Sequence, residues 1–414
     1  MQNAGVKPLE GIRVLDISRI VSGPVCCWYL AALGAEVIRV EAPGGDQTWR
    51  SVPTVSPEGV VNRGARGPRD IALSALRRHR SKRSVVLDLA NDTGRETFQR
   101  LAQHADVLVE NFRPGATLKL GIDYETLSAI NPGLVYCSIT GYGDSGPYRN
   151  RSAMDLVVQA VSGLMSKTGF PDGPPTKVGA TVGDQVPALF SAIGILAALR
   201  QRDRDGRGQH VDVSMLDSLV ALLWDEPLDE YEDQGIPERV GNGDPRGAPL
   251  EVYRTLDGWV ALVMTNDDQW VRLCDLMERP ELVEPYATMR QRAAARDFIN
   301  GAVGEWCSTR STDAVIEHFV AISLPAGPVQ SAWSARHDPH IAHRGSLEPL
   351  RHPDAAEPSP YLGAVLPVRL SRAELSSTPT EVLGHSTESV LRELLDADDD
   401  EIERLRRAGA LGEG

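Results

Sequence analysis

Short apolar runs alternate with helix-spaced segments along the first half of the chain. Ile12–Ile17 (IRVLDI) and Glu36–Glu41 (EVIRVE) read as β-strands, with a helix-like Pro24–Leu33 between them. Ser84–Leu89 and Asp106–Glu110 flank a helical Thr93–His104, and Leu134–Thr140 supplies a further strand. Alternation of this kind predicts a parallel sheet covered by helices, a Rossmann-like α/β domain.

The pattern loosens in between. Residues 42–76 are rich in Gly, Pro, Ser and Arg, which predicts either a mobile loop or a segment that orders over a ligand. Helical spacing returns over Asp155–Met165 and Gln185–Arg200. Asp203–Gln209 then reads as a turn into a strand, His210–Ser214, and residues 215–233 as one long helix. The Gly/Pro-rich Gly235–Pro249 interrupts the pattern. Leu256–Thr265 followed by Asp267–Met277 reads as a strand–turn–helix unit of a small second domain, and Pro325–Pro328 (PAGP) as a further boundary. Two charged helices are expected near 386–396 and 398–408.

A chain of 414 residues exceeds what one hydrophobic core organises, so more than one unit is expected. The net charge of -14 argues against nucleic acid or an anionic membrane as the main partner. No window approaches the ~18 uninterrupted apolar residues of a membrane span. The N-terminal residues lack the apolar centre of a signal peptide. Cys26, Cys27, Cys137, Cys274 and Cys307 have neither the number nor the spacing of a disulfide framework or zinc site. A cytoplasmic location is the expectation. The acidity also means that an anionic ligand needs basic residues gathered locally.

The first strand–helix–strand unit imitates a dinucleotide site, with Glu41 where a ribose-binding acid would stand. Its turn, Ser18–Pro24, holds one glycine where the fingerprint needs three, so NAD is not expected. Residues 77–83 read Arg-Arg-His-Arg-Ser-Lys-Arg, either a solvated loop or a phosphate-binding rim. Arg39 and Arg113 fall near strand C-terminal ends, the edge where open α/β sheets bind ligands, which suggests a ligand with several phosphates.

The most informative stretch is Ser162–Asp184, where two turn-forming groups precede a lone carboxylate and an apolar helix. Asp184 is expected at the helix N-cap, where backbone N–H groups and the helix dipole favour its ionised form. Gly183 is expected to leave room for a ligand. A cap of this kind is common without any chemistry. Where chemistry occurs, a carboxylate can attack a thioester and keep the acyl group activated as a mixed anhydride. That suits exchange of activated acyl groups better than hydrolysis.

The chain resembles the class III coenzyme A transferases, the family of formyl-CoA transferase and carnitine CoA-transferase that also contains α-methylacyl-CoA racemase. The resemblance rests on PLEGIRVLDISR at 8–19, LGAEVIRVE at 33–41, KRSVVLDL at 82–89 and ADVLVENFRPG at 105–115. It continues through SGLMSKTGFPDGPPTKVG at 162–179, VGD at 182–184, GRGQHVDVSMLD at 206–217, RVGNGDP at 239–245, PAGPV at 325–329 and GHSTESVL at 384–391.

The resemblance implies an interlocked homodimer with a Rossmann-like large domain and a smaller α+β domain. The boundaries expected here are 1–205 for the N-terminal part of the large domain, 206–240 for a linker helix, 241–324 for the small domain and 325–414 for the return. The family's catalytic aspartate falls on Asp184, supported by Asp155 and Gly183. Coenzyme A contacts fall on Arg39, Leu87, Leu89, Asn111, Phe112 and Arg113, with Arg80 and Arg83 of the basic loop for its phosphates. The expected substrates are an acyl-CoA and a small carboxylic acid, without a metal.

Racemases of this family place a histidine before the supporting acid. Met154 stands there instead and cannot take a proton, which favours transferase over racemase. A CoA-ester-binding protein without turnover is the remaining alternative. Three departures from relatives stand out: Ala90 in place of a lysine, Val21 in place of a glutamine, and Asp244 in place of a histidine. His337, His340 and His343 read as solvated side chains, and Cys26 and Cys27 as core residues.

Overall fold

The computed structural model describes residues 7–64, 66, 67 and 69–412. The chain divides into two compact units. One comprises the residues up to Ser162, Gly179–Leu223 and the residues from His340 on; the other comprises Gly163–Val178 and Trp224–Pro339.

The first unit is built on a six-stranded parallel sheet of β1 (Arg13–Asp16), β2 (Glu36–Glu41), β3 (Lys82–Val86), β4 (Val107–Glu110), β5 (Val135–Thr140) and β6 (His210–Ser214). The spatial order is β3-β2-β1-β4-β5-β6, so the order reverses between β1 and β4. All five pairings are parallel. This is the doubly wound order whose crevice at the reversal point accepts ligands.

The helices that matter for the site are α1 (Ser22–Ala32), α2 (Leu73–Arg78), α3 (Asp92–Ala102), α4 (Asp155–Val161), α5 (Val182–Asp205) and α6 (Met215–Leu223). Asn91 caps α3 by accepting from the N–H groups of Thr93 and Gly94. Behind the sheet, Leu15, Ile38, Val85, Phe98 and Leu108 pack with Val390, Leu391 and Leu405 of the C-terminal helices Thr387–Leu395 and Asp399–Arg407. The core of this unit therefore draws on distant parts of the chain.

α5 has 24 residues and is long and apolar enough, by length and composition alone, to cross a membrane. Much of it is nevertheless buried against protein, including Ala188, Ile195 and Leu199.

The stretch 42–76 orders on itself. It forms a short helix, Gln47–Arg50, a three-stranded antiparallel sheet of Val61–Asn62, Thr54–Val55 and Ile71–Ala72, and the start of α2. Trp49 gathers Val55, Ile71, Leu76 and Leu350 into a separate hydrophobic cluster. A helical period does not emerge from this stretch because its elements are two to six residues long.

The second unit is an α+β body. Leu250–Arg254, Trp259–Val263 and Ala326–Pro328 form an antiparallel sheet, and Trp270, Ile299, Val303 and Phe319 from three helices cover it. Asn266 and Gln269 form a reciprocal cap at one helix start. Buried Arg292 donates to the carbonyls of Ala248, Tyr286 and Ala287 and pairs with Asp267 at 2.6 Å. Asp244 accepts a two-pronged contact from Arg246 Nε, at 2.9 and 3.1 Å, which gives the acid at this position a local partner.

The boundaries differ from those read in the sequence. β6 pairs with β5 and completes the large sheet, so residues 206–223 belong to the first unit and are not a linker. Residues 163–178 join the second unit through Gly241 N–H to Gly169 O and Ser166 to Glu238. Residues 326–328 supply its third strand. The helix expected over 215–233 is two helices, Met215–Leu223 and Leu228–Asp233, because Pro227 cannot continue one and restricts the residue before it. Likewise Gly163, at φ 90°, ends the helix expected over 155–165.

Candidate active site

The C-terminal ends of β1, β2, β3 and β4 surround a cavity of about 690 Å³. The turn Ile17–Ile20 forms one wall, Arg39–Pro43 another, and Leu87–Ala90 a third, with Phe112 closing the side.

Beneath it lies a buried ionic cluster that follows from strand register. Parallel pairing sets Asp16 opposite Arg39. Asp16 Oδ2 lies 3.2 Å from Arg39 NH1 and 2.8 Å from Lys82 Nζ. Arg39 also reaches Glu41 at 3.1 Å and Asp46 at 3.3 Å. Burial alone would raise the Asp16 pKa, but Lys82 and Arg39 hold it down at about 2. Burial works against the charge on Arg39, and Glu41, Asp16 and Asp46 more than offset it. The Arg39 guanidinium is thus matched by three carboxylates rather than left free at the cavity wall.

Of the other residues expected to hold coenzyme A, Leu87, Leu89 and Phe112 line the cavity. Asn111 lies behind the wall and clasps Arg19, accepting from its N–H at 2.7 Å and donating to its carbonyl at 2.8 Å. Arg113 is exposed beyond the lining. Arg80 and Arg83 turn elsewhere. Arg80 pairs with Glu348, donates to Ala364 O and lies over the Trp28 ring, whereas Arg83 pairs with Glu36 at 2.6 Å and Glu393 at 2.8 Å. Neither lines the cavity. Besides the paired Arg39, the cations that line it are Arg19, whose guanidinium lies 4.8 Å from the Phe112 ring centroid, and Arg50. Both escape a reading of charge runs because each is a single arginine between uncharged neighbours.

Asp184 sits in the first turn of α5, three residues past the cap position held by Thr181, and not at the cap itself. Its own N–H donates to Thr181 O at 3.1 Å. The displacement follows from Val182 and Gly183 already being helical. Burial and the neighbouring charge of Asp155 push its pKa up to about 6, with Arg78 pulling the other way. The expected preference for the ionised form is therefore outweighed.

Asp155 opens α4. Its Oδ1 accepts the Gly183 N–H at 2.8 Å, and Gln159 Nε2 donates to Oδ1 at 3.1 Å and to Oδ2 at 3.0 Å. A Cβ on Gly183 would fall 2.9 Å from Asp155 Oδ1 and 3.0 Å from its carbonyl oxygen. The missing side chain therefore admits Asp155 rather than open space for a ligand.

Arg78, the last residue of α2, links this pair to the cavity. It donates to Ile20 O at 2.8 Å, and Ile20 lines the cavity wall. Ile20 is held at φ 67°, a strained conformation for a β-branched residue, with its N–H bound by Asp46 Oδ2 at 3.0 Å. Val21, next in the chain, is buried at the start of α1, and Ala90 forms part of the cavity wall.

A doubly wound sheet with a crevice of mixed polar and apolar lining at the C-terminal ends of its strands is the scaffold of a nucleotide-type ligand-binding protein. The chain belongs to CoA-transferase family III, whose family model matches residues 9–384, and is an enzyme of that class. It is 38% identical over 410 residues to the succinyl-CoA–L-malate CoA-transferase alpha subunit of Chloroflexus aurantiacus, covering 96% of this chain and 91% of that one. It is 37% identical over 396 residues to succinate–glutarate CoA-transferase of Agrobacterium fabrum, covering 94% and 96%. Among solved structures, a CAIB/BAIF family protein from Brucella suis superposes with a TM-score of 0.80 at 34% identity, covering 94% of this chain and 99% of that one.

Proposed function

We propose that this chain transfers coenzyme A from a dicarboxylic acyl-CoA such as succinyl-CoA to a second small dicarboxylic acid, with Asp184 as nucleophile. The observation that carries the reading is Asp184 itself: half-buried, in the first turn of α5, beside Asp155 and within the electrostatic influence of Arg78, which bonds Ile20 of the cavity wall. The named substrates of the relatives support the choice of acids.

The chemistry balances without net proton transfer. Asp184 carboxylate attacks the thioester carbonyl, forming a mixed anhydride and releasing the CoA thiolate. The thiolate attacks the Asp184 carbonyl, expelling the donor as carboxylate and leaving an aspartyl-CoA thioester. The acceptor carboxylate repeats these two steps in reverse and leaves as its CoA ester. Coenzyme A occupies the cavity in this reading, with Arg19 and Arg50 toward its phosphates and Leu87, Leu89 and Phe112 along its apolar parts.

Two copies of the chain form a homodimer in this reading. Leu156, Val157 and Val161 of α4, Leu189, Phe190 and Ile193 of α5 and Leu222 of α6 are all exposed. The three helices pack against one another, so this apolar surface is larger than scattered surface leucines would give.

Incubation with succinyl-CoA followed by hydroxylamine tests the mechanism. The expected result is a hydroxamate at Asp184 by mass spectrometry, lost in Asp184→Asn. Exchange of the substrate α-proton in heavy water without hydroxamate would indicate a racemase, and neither reaction a binding protein; both would overturn the reading.

A further inference from the structure

We propose that Glu110 is a positioning residue of the coenzyme A cavity, one that holds the Phe112 wall and takes up a proton, through Ser138 and His210, when the anionic ligand binds. The inference rests on the placement of coenzyme A in the cavity proposed above and adds a proton to that equilibrium.

The contact with the wall is direct. Glu110 ends β4, and its Oε2 accepts the N–H of Phe112 at 2.7 Å. Phe112 lines the cavity and carries the Arg19 guanidinium over its ring. Asn111, between the two, grips the Arg19 backbone at both its N–H and its carbonyl. One buried carboxylate, 4% exposed, thus braces the turn that presents an apolar wall and a cation to the ligand.

Behind Glu110 a polar chain leads away from the cavity. Parallel register sets Glu110 opposite Ser138 of β5, whose hydroxyl bonds the carboxylate. Ser138 Oγ lies 2.9 Å from His210 Nε2 on β6. Tyr124 stacks on the His210 ring with centroids 5.3 Å apart, and Tyr136 meets it edge-on at 5.7 Å. His210 Nδ1 lies 3.8 Å from Asp144 Oδ2, and the His210 side chain is 26% exposed. The chain therefore runs from the cavity wall to solvent.

A hydroxyl and an imidazole both donate and accept, so these groups serve either state of Glu110. With Glu110 ionised, His210 Nε2–H donates to Ser138, and Ser138 donates to the carboxylate. A solvent proton added at Nδ1 releases the Nε2 proton to Ser138, which passes its own to Glu110. Glu110 then donates to Ser138, Ser138 donates to the bare Nε2, and the new Nδ1–H faces Asp144. One proton is gained and the chain keeps its hydrogen bonds.

The surroundings keep both states within reach. Burial and Asp212 of β6 raise the Glu110 pKa to about 7, while the Ser138 and Phe112 hydrogen bonds pull it down. Cys137 and Tyr136 beside it stay neutral, since burial pushes the thiol up to about 12 and the phenol higher still. Phosphates drawn toward Arg19, over the Phe112 ring, add negative charge on the far side of the wall. That charge favours protonated Glu110.

Calorimetric titration of the full-length protein with coenzyme A, from pH 6 to 8.5 in buffers of different ionisation enthalpy, counts the protons. The ligand's own phosphate contributes equally to every variant, so differences report the protein. Wild type is expected to take up about half a proton more than Glu110→Gln near pH 7.5. Its affinity is expected to fall about sevenfold more over that pH range, the linkage of a pKa raised by about one unit on binding. His210→Phe keeps a ring against Tyr124 but removes the donor behind Ser138. Ionised Glu110 then loses support, and the uptake maximum moves up by about half a pH unit or more. Uptake that is unchanged in Glu110→Gln would assign the proton to Glu41 or Asp46 of the cavity lining and overturn the inference. A maximum that stays in place in His210→Phe would break the chain and overturn it too; neither result touches the binding of coenzyme A. Failure of wild type to bind coenzyme A would instead remove the reading of the cavity, and this inference with it.

Discussion

Asp155 grips the backbone of Gly183, one residue before Asp184, through a 2.8 Å hydrogen bond to its N–H. The supporting carboxylate is thereby fixed next to the candidate nucleophile without bonding to it. Its charge acts on Asp184 through space, and its position depends on a glycine that has no side chain in the way.

The pH dependence of the reaction follows from this arrangement. With the Asp184 pKa raised to about 6, the reactive carboxylate is present above that value and is lost as pH falls through it. The acid limb of kcat/KM is expected near pH 6. Asp155→Asn keeps an acceptor for the Gly183 N–H but removes the repelling charge, so the limb moves to lower pH. A limb that stays in place in this variant would separate it from Asp184.

Gly183→Ala gains helix propensity, worth roughly 1 kcal/mol, but sets a methyl group 2.9 Å from Asp155 Oδ1. Asp155 has to move. Transfer activity is expected to fall at least about tenfold while the melting temperature changes by only a few degrees. Activity assays and thermal unfolding of the same preparation check the split.

The Asp16–Arg39–Lys82 cluster makes a stability prediction. Lys82→Met leaves buried Asp16 with Arg39 as its remaining cationic partner, beside the Ser18 hydrogen bonds, and is expected to destabilise the first unit by about 3–5 kcal/mol. In wild type the Asp16 carboxyl is depressed to about 2, so its contribution is complete above the ordinary aspartate range. It disappears as pH falls from about 4 toward 2. Denaturant melts across that window measure both effects.

Glu110 behaves in the opposite sense. Burial raises its pKa to about 7, against hydrogen bonds from Ser138 and the Phe112 N–H. Its protonated form fits the fold, so stability falls as pH rises from about 4.5 toward 7. Glu110→Gln removes that dependence. The variant is expected to gain in melting temperature relative to wild type at pH 8 and to gain little at pH 5.

Coenzyme A in the cavity requires cations that are not already paired. Arg19→Ala and Arg50→Ala are each expected to weaken CoA binding by about 1 kcal/mol, more at low salt than at high salt. Arg83→Ala, outside the cavity, is expected to leave it unchanged. Calorimetric titration at two ionic strengths distinguishes them.

The sheet was legible because its strands are short apolar runs in a repeating strand–helix order; EVIRVE and HVDVS form β2 and β6 with the bounds read from the sequence. What the sequence could not convey was the surroundings of each charge. Arg39 reads as a free cation at a strand end, yet register and the 42–76 excursion bring Asp16, Glu41 and Asp46 onto it. The run 77–83 reads as one basic patch. The end of α2 and the start of β3 turn its members to different sides, so that Arg78 and Arg80 part company. The sequence reading starts α5 three residues late, because Val182 and Gly183 resemble a loop. Arg19 and Arg50 carried no local signal at all.

The three-part construction of the first unit has a consequence for biosynthesis. Ala410 accepts the Asp88 N–H at 2.9 Å, and Leu405 and Ala410 are buried beside β3 and α3. A nascent chain emerging from the ribosome must therefore carry its Rossmann-like sheet with one flank unsealed until residues 390–410 have been made. During that interval apolar residues such as Val85 and Phe98 lack their cover, and translation speed and chaperone supply would govern the yield of this protein more than its final stability.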